Sequence, residues 1–175
     1  MLRGNMEELL LHLNAAYNLA RWLTRNPTDA EDVVQEAYLR ALKHFRSFHG
    51  SDSRPWLLAI VRNTFYTLRQ RNRGSDQGIP FDEESHSQPE DHPNPEVQLL
   101  QKANSQLVRQ AIEELPAEFR EVIVLRELEG LSYKQISNVT EIPVGTVMSR
   151  LARGRKRLEQ RLSKSRESLT SRQTA

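Results

Sequence analysis

Cysteine is absent from the 175 residues of this chain, which excludes disulfides and thiolate zinc sites and suits a reducing cytosol. A P-loop, a nucleophile elbow and any metal-ligand cluster are missing too. The chain is therefore read as a non-enzyme, with no catalytic residue, no metal and no cofactor. Long apolar runs are also lacking. The stretch Leu9 to Leu13 is interrupted by His12 and preceded by Glu7 and Glu8, so it has neither the charge order of a signal peptide nor the length of a membrane span. No membrane insertion is expected, and the protein should be cytoplasmic. With no strand-like run and no internal repeat, the expected fold class is all-α.

An apolar content of 37% can supply one ordinary core or two small ones. The formal net charge of +2 says little until the charges are placed along the chain. Residues 54 to 73 hold five basic and no acidic side chains, residues 74 to 97 hold seven acidic and no basic ones, and residues 132 to 175 hold ten basic against three acidic. Two basic blocks thus flank an acidic one. Such blocks point to a polyanionic partner, because neutralising phosphates releases condensed counterions.

Helical periodicity organises most of the chain. The segment Thr28 to Phe45 places Ala30, Val33, Val34, Ala37, Tyr38, Ala41, Leu42 and Phe45 on one face, with Thr28 and Glu31 in capping-box spacing. Residues 47 to 54 read as a loop, and Pro55 is placed to open a helix carrying Leu57, Leu58, Val61, Phe65 and Leu68. Together with an amphipathic segment from Glu7 to Leu23, this predicts a helical domain over residues 1–73. Residues 74–97 hold four of the eight prolines and little apolar material, too little to offset the entropy of ordering, and are read as a flexible acidic linker. His86 and His92 within it lack ligand spacing and are read as solvated. A second helical domain, residues 98–175, follows. Its helix after Pro116 should stop at Gly130, and the tail beyond Leu162 reads as polar and mobile.

The second domain carries the most specific local pattern. Ser132 and Gln135 are spaced as a capping box, a three-residue turn runs from Thr140 to Ile142, and Pro143 can occupy the first turn of another helix. This is helix-turn-helix spacing. At 100° per residue, Val144, Val147, Met148, Leu151, Leu158 and Leu162 share one side of that second helix. Thr146, Ser149, Arg153 and Lys156 lie opposite, flanked by Arg150 and Arg157. Arginine can read guanine bidentately in the major groove, and serine and threonine can donate or accept there. A basic helix alone would more simply be a solvated face; the cap, turn and second helix together favour DNA. A helix-turn-helix alone equally fits a stand-alone repressor or activator, or an accessory subunit of a nucleic-acid enzyme.

The words ELPAEFREVIVLRELEGLSYKQI and IPVGTVMSRLARGRKRL resemble region 4 of bacterial RNA polymerase sigma factors of the extracytoplasmic-function group. That resemblance implies an alternative sigma factor that binds core RNA polymerase and directs initiation at promoters with two unlike boxes. It implies that Ser149, Arg150 and Arg153 meet the upstream (−35) element, with Lys156 and Arg157 on phosphates. Glu141 stands where the group's turn usually has glycine, Met148 where a basic residue is common, and Ala152 where a larger side chain is frequent.

In the first domain, NPTDAEDVVQEAYLRAL, Asn26 to Leu42, is similar to region 2 of the same group, whose helix docks on the clamp helices of the polymerase largest subunit. On the wheel Asp32, Gln35, Leu39 and Lys43 form an outward stripe with Glu36 at its edge. Glu36 and Arg40 are also an i,i+4 pair on an ordinary solvated face. RPWLLAIVRNTFYTLRQRNR, Arg54 to Arg73, resembles the part of region 2 that melts and captures the downstream (−10) element. Its wheel turns Trp56, Asn63 and Tyr66 away from the core with Arg62 on the flank, and exposed aromatics beside arginines suit unstacked bases. The resemblance implies that Phe48 and Asn63 line a pocket for a flipped base. Trp56 and Phe48 could equally be packing residues. In the resembling group the connector threads toward the polymerase active-site cleft, so the acidic linker is expected to mimic RNA there or to act as a passive tether. An anti-sigma protein, which commonly holds members of the group inactive, is a further candidate partner.

Overall fold

The computed structural model describes residues 2–74 and 95–173, with side chains described for 6–74 and 103–168, and the described residues are helical throughout apart from turns. The linker segment 74–97 therefore falls mostly outside the described residues. Helix already begins at Pro95.

The first module comprises α1 (Leu2–Leu10), α2 (Leu13–Thr24), α3 (Pro27–His44), a 3₁₀ turn (Phe45–Ser47) and α4 (Ser53–Gly74). Helices α2, α3 and α4 pack on one another around Leu19, Leu23, Val33, Leu57, Leu58 and Val61. Buried Ala16, Ala20, Ala30, Ala37 and Ala41 supply the small surfaces that let the axes approach. Each fully buried leucine contributes roughly 1.5–3 kcal/mol.

The amphipathic Glu7–Leu23 segment is divided between two helices, α1 and α2. The chain turns at Leu11 and His12, where the His12 amide bonds the Leu9 carbonyl at 3.0 Å, and His12 Nε2 comes within 3.2 Å of Ser53 Oγ on α4. One sequence expectation needs correcting: the cap of α3 is not Thr28. Asn26 has extended backbone, its Oδ1 accepts from the Asp29 amide at 3.1 Å, and Pro27 fills the first helical position. Proline suits that position because its missing N–H would be unpaired there anyway. Arg25, left-handed at φ 59°, closes α2 one residue earlier.

The second module comprises α5 (Pro95–Glu113), α6 (Ala117–Ile123), α7 (Tyr133–Thr140) and α8 (Val144–Gln173). After Ile123 the winding loosens into a π turn over Val124–Leu128, in which the Glu129 amide bonds the Val124 carbonyl at 3.0 Å. Gly130, at φ +67°, then stops the helix as its position predicts. Phe119, Val122, Ile123, Leu125, Leu131, Ile136, Val139, Val147 and Leu151 form the buried interior. The tail is not a loose end through its described length: α8 runs on to Gln173. Past Gly154 it meets neither glycine nor proline, and the Ser165 and Ser168 hydroxyls donate back to the carbonyls of Arg161 and Lys164.

Helix α8 crosses α6 at Gly154. A Cβ there would lie 2.9 Å from Ile123 Cγ1 and 3.5 Å from Phe119 Cβ, so glycine sets how closely the two helices approach.

Candidate nucleic-acid interface

The α7–turn–α8 unit is fixed at both ends of its first helix. Ser132 Oγ accepts from the Gln135 amide at 3.1 Å while Gln135 Oε1 accepts from the Ser132 amide at 2.9 Å, the reciprocal pair that the spacing predicts. At the other end Thr140 Oγ1 donates to the Ile136 carbonyl and Ser137 Oγ donates to the Ile142 carbonyl, each at 2.6 Å. Glu141 makes the turn in left-handed conformation, φ 57°. That explains the glycine common at this place in the resembling family, since only glycine adopts it without steric cost.

The outer side of α8 is sorted by what each cation touches. Arg150 reaches Glu118 at 3.7 Å, Arg157 lies over the Phe119 ring at 5.0 Å, and Arg155 bonds Glu127 at 2.6 Å. The Arg155 guanidinium is pushed to higher pKa, first by its hydrogen bond to Glu127 and then by Tyr133. Among the described residues Arg153 and Lys156 have no ion-pair partner, and both are exposed beside exposed Ser149, whose hydroxyl donates to the Thr146 carbonyl at 3.0 Å. Thr146 is half-buried.

The buried stripe of α8 departs from the sequence reading. Val147 and Leu151 are buried and Leu158 and Leu162 partly so, but Val144 is exposed and Met148 is 52% exposed. The stripe takes in buried Gly154, which shifts it and leaves Met148 about 120° from that glycine at 100° per residue. The same shift carries Arg150 and Arg157 toward the body and centres Ser149, Arg153 and Lys156 outward.

In the first module the outward stripe of α3 is present. Asp32, Gln35, Leu39 and Lys43 are all exposed, Leu39 at 65%. Glu36 is half-buried and pairs with Arg40 at 2.8 Å, as i,i+4 spacing allows.

Helix α4 differs more from its wheel. Trp56 is not turned outward: its ring meets Phe48 at 5.0 Å and Phe45 at 5.9 Å in a three-ring cluster, which binds the loop before α4 to the module. Gly50 completes the arrangement, because a Cβ there would stand 2.7 Å from the Phe48 ring. Phe48 is thereby held on Trp56, whereas Asn63 lies exposed about two helical turns further along. Tyr66 is half-buried under the Arg62 guanidinium, 4.7 Å from its ring centre. Burial, and next the Glu121 carboxylate, push the Tyr66 phenol to higher pKa.

The two modules touch through α4 and α7, and through α2 and α6. Arg62 forms an ion pair with Glu121, whose side chain is 1% exposed. Burial raises the Glu121 pKa, opposed by its hydrogen bond from Arg62. Arg54 pairs with Glu129 Oε2 at 3.1 Å and donates to the Glu129 carbonyl, while Asn18 donates to Glu129 Oε1 at 2.6 Å. Arg120, also buried, donates to the Glu113 carbonyl at 2.7 Å, and burial depresses its pKa. Sequence reasoning missed Glu118, Glu121, Glu127 and Glu129, since no local spacing links a carboxylate to an arginine dozens of residues away. Among the described residues no helix is long and apolar enough to cross a membrane.

Comparison with known proteins adds independent findings. The model of Sigma-70 region 2 matches residues 10–74, and that of Sigma-70, region 4, matches residues 105–158. The ECF RNA polymerase sigma factor SigE of Mycolicibacterium smegmatis is 34% identical over 154 residues, 87% of this chain and 59% of that protein, so the chain spans less than two thirds of that relative. The ECF RNA polymerase sigma-E factor of Escherichia coli (strain K12) is 37% identical over 141 residues, 77% of this chain and 74% of that one. Among solved structures, the sigma factor RpoE in complex with the anti-sigma factor NepR from Bartonella quintana superposes with a TM-score of 0.72 at 32% identity, covering 90% of this chain and 96% of that one.

Proposed function

The chain belongs to the extracytoplasmic-function group of RNA polymerase sigma factors, proteins that direct promoter-specific initiation of transcription, and on that premise we propose how its residues divide the work. Residues 1–73 bind core polymerase and the −10 element, and residues 98–175 bind the −35 element. The observation that carries this reading is the capped helix-turn-helix whose second helix presents Ser149, Arg153 and Lys156 outward. Arg153 and Ser149 read base edges; Lys156 holds phosphate. Thr146, Arg150 and Arg157 border the groove from positions nearer the module's body.

Polymerase binding is assigned to Asp32, Gln35, Glu36 and Leu39. Leu39, an exposed leucine among hydrogen-bonding groups, is the anchor that such a surface needs at its centre. At the −10 element Arg62, Asn63 and Tyr66 face the separated strands, with Phe48 and Trp56 supporting the loop that receives an extruded base. The work requires no chemistry of the chain's own, because bond formation belongs to the polymerase. An anti-sigma protein, as in the related Bartonella complex, is a proposed further partner.

Reconstitution tests the assignment. Mixed with core polymerase and a promoter library, the chain should select templates with two unlike boxes. Leu39→Asp should abolish association with core, whereas Arg153→Ala should keep association and lose selection of the upstream box. Selection of one palindromic operator without polymerase would instead identify a stand-alone regulator.

A further inference from the structure

Helix α8 presents two unlike strips side by side. Ser149, Arg153 and Lys156 supply a hydroxyl and two cations without ion-pair partners among the described residues. Beside them Val144, Met148 and Ala152 succeed one another four residues apart, each about 40° round the helix from the last. All three are exposed, Val144 at 40% and Met148 at 52%. A single exposed apolar side chain is ordinary on any surface. Three in one row, on a helix otherwise rich in arginine, form a surface of their own. The row is also kept clear of charge. Arg155, at the same angle, is held by Glu127, and the first carboxylate of α8, Glu159, stands about two turns beyond Ala152.

We propose that Met148, with Val144 and Ala152 on either side, reads the C5-methyl group of a thymine in the upstream element. The proposal rests on α8 entering the major groove there, and it goes further by naming the group that this half of the helix recognises. In that groove thymine alone of the four bases presents a methyl group, which an apolar side chain recognises by contact. Residues near the start of a reading helix are the ones that reach base edges, and Val144 opens α8. The first turns of the helix thus divide the groove between them. Arg153 and Ser149 meet donors and acceptors on one side, while Met148, unbranched and flexible, lays its thioether and terminal methyl on the other. A charged head in the same place would be stripped of water against the methyl at a cost. The contact displaces no counterion, so it adds sequence preference without adding to the salt dependence that Lys156 supplies.

Deoxyuridine differs from thymidine by that methyl alone, so it leaves pairing and every donor and acceptor in the groove unchanged. The whole chain is assembled with core polymerase, and a promoter is taken from the library selection. Each thymine of its upstream element, on either strand, is then replaced singly by uracil. Competition binding should show a loss of about fourfold at one thymine or more, the worth of one buried methyl group, and little change at the others. Met148→Gln should bind the thymine and uracil forms alike at that position, and Met148→Leu should keep the discrimination. Because the ratio of the two forms is read, a general loss of folding or affinity does not imitate the result. Uracil tolerated at every position, a selected upstream element without thymine, or unchanged discrimination in Met148→Gln overturns the proposal while sparing the reading by Arg153. Loss of core association in Met148→Gln, with discrimination kept, also overturns it and assigns the row to a protein surface. Absence of any preference for an upstream box in the assembled enzyme overturns the groove reading of α8 and the methyl reading together.

Discussion

Two glycines on α8 should respond oppositely to one substitution. Gly145, in the first turn, has open space around the position of a Cβ, whereas a Cβ on Gly154 would stand 2.9 Å from Ile123 Cγ1 and 3.3 Å from its Cδ1. Alanine is favoured over glycine within a helix by up to about 1 kcal/mol, and both variants gain some part of that. At Gly154 the added methyl meets the branched stem of a buried isoleucine, not the free end of a flexible chain, so the overpacking cost of about 1–3 kcal/mol applies. The second effect outweighs the first. Gly154→Ala should destabilise by about 1 kcal/mol net, and Gly145→Ala should stabilise by about 0.5 kcal/mol or more. At about 2–4 °C per kcal/mol for a chain of this size, thermal melts followed by far-UV circular dichroism should separate the two variants by several degrees. If Gly154→Ala melts at or above the unaltered chain, Ile123 yields freely and glycine does not set the α6–α8 approach.

Five further substitutions probe the turn, the α1 contact and the outer face of α8. Glu141→Gly should raise stability by up to about 1 kcal/mol by relieving the left-handed turn at φ 57°, and Glu141→Val should lower it, both measurable by denaturant melts. Tyr38 donates to the Leu9 carbonyl at 2.8 Å, and burial pushes its phenol up to about 12 from 10.0. The unfolded chain therefore releases that proton first, so stability present below about pH 10 falls as pH rises from about 10 toward 12. Tyr38→Phe should remove that part of the alkaline loss in a pH series of melts. Lys156→Ala should reduce the salt dependence of upstream-element binding by about one counterion without altering sequence preference, whereas Arg153→Ala should cost about 1–3 kcal/mol at one base pair; competition binding at several salt concentrations distinguishes them.

Most of the helical framework was legible because periodicity is local. The core face of α3 appears in the spacing of Ala30, Val33, Ala37 and Ala41, and the Ser132 cap appears in two residues three apart. Two local signals compete at the start of α3: Thr28 and Glu31 have capping-box spacing, but Asn26 followed by Pro27 starts the helix two residues earlier. A hydrophobic wheel gives glycine no weight, so it does not show Gly154 as part of the α8 stripe and it puts Met148 inside. Trp56 illustrates another limit. Its outward angle on an isolated helix is overruled by Phe45 and Phe48, which the preceding loop folds over it. The carboxylate partners of Arg54 and Arg62 lie 75 and 59 residues away, and no pattern in the chain measures such a distance.

The loosened winding at Val124–Leu128 settles a question of angular phase. Each residue of a regular helix advances about 100°, so one extra residue in a turn re-indexes everything after it, like a thread cut with a skipped pitch. Leu128 emerges toward solvent, and Glu129 swings inward to meet Asn18 and Arg54. A relative with the same letters but regular winding there would aim a different side chain across the gap. Whether such a chain can fasten its halves together is thus decided by backbone pitch as much as by the presence of a glutamate.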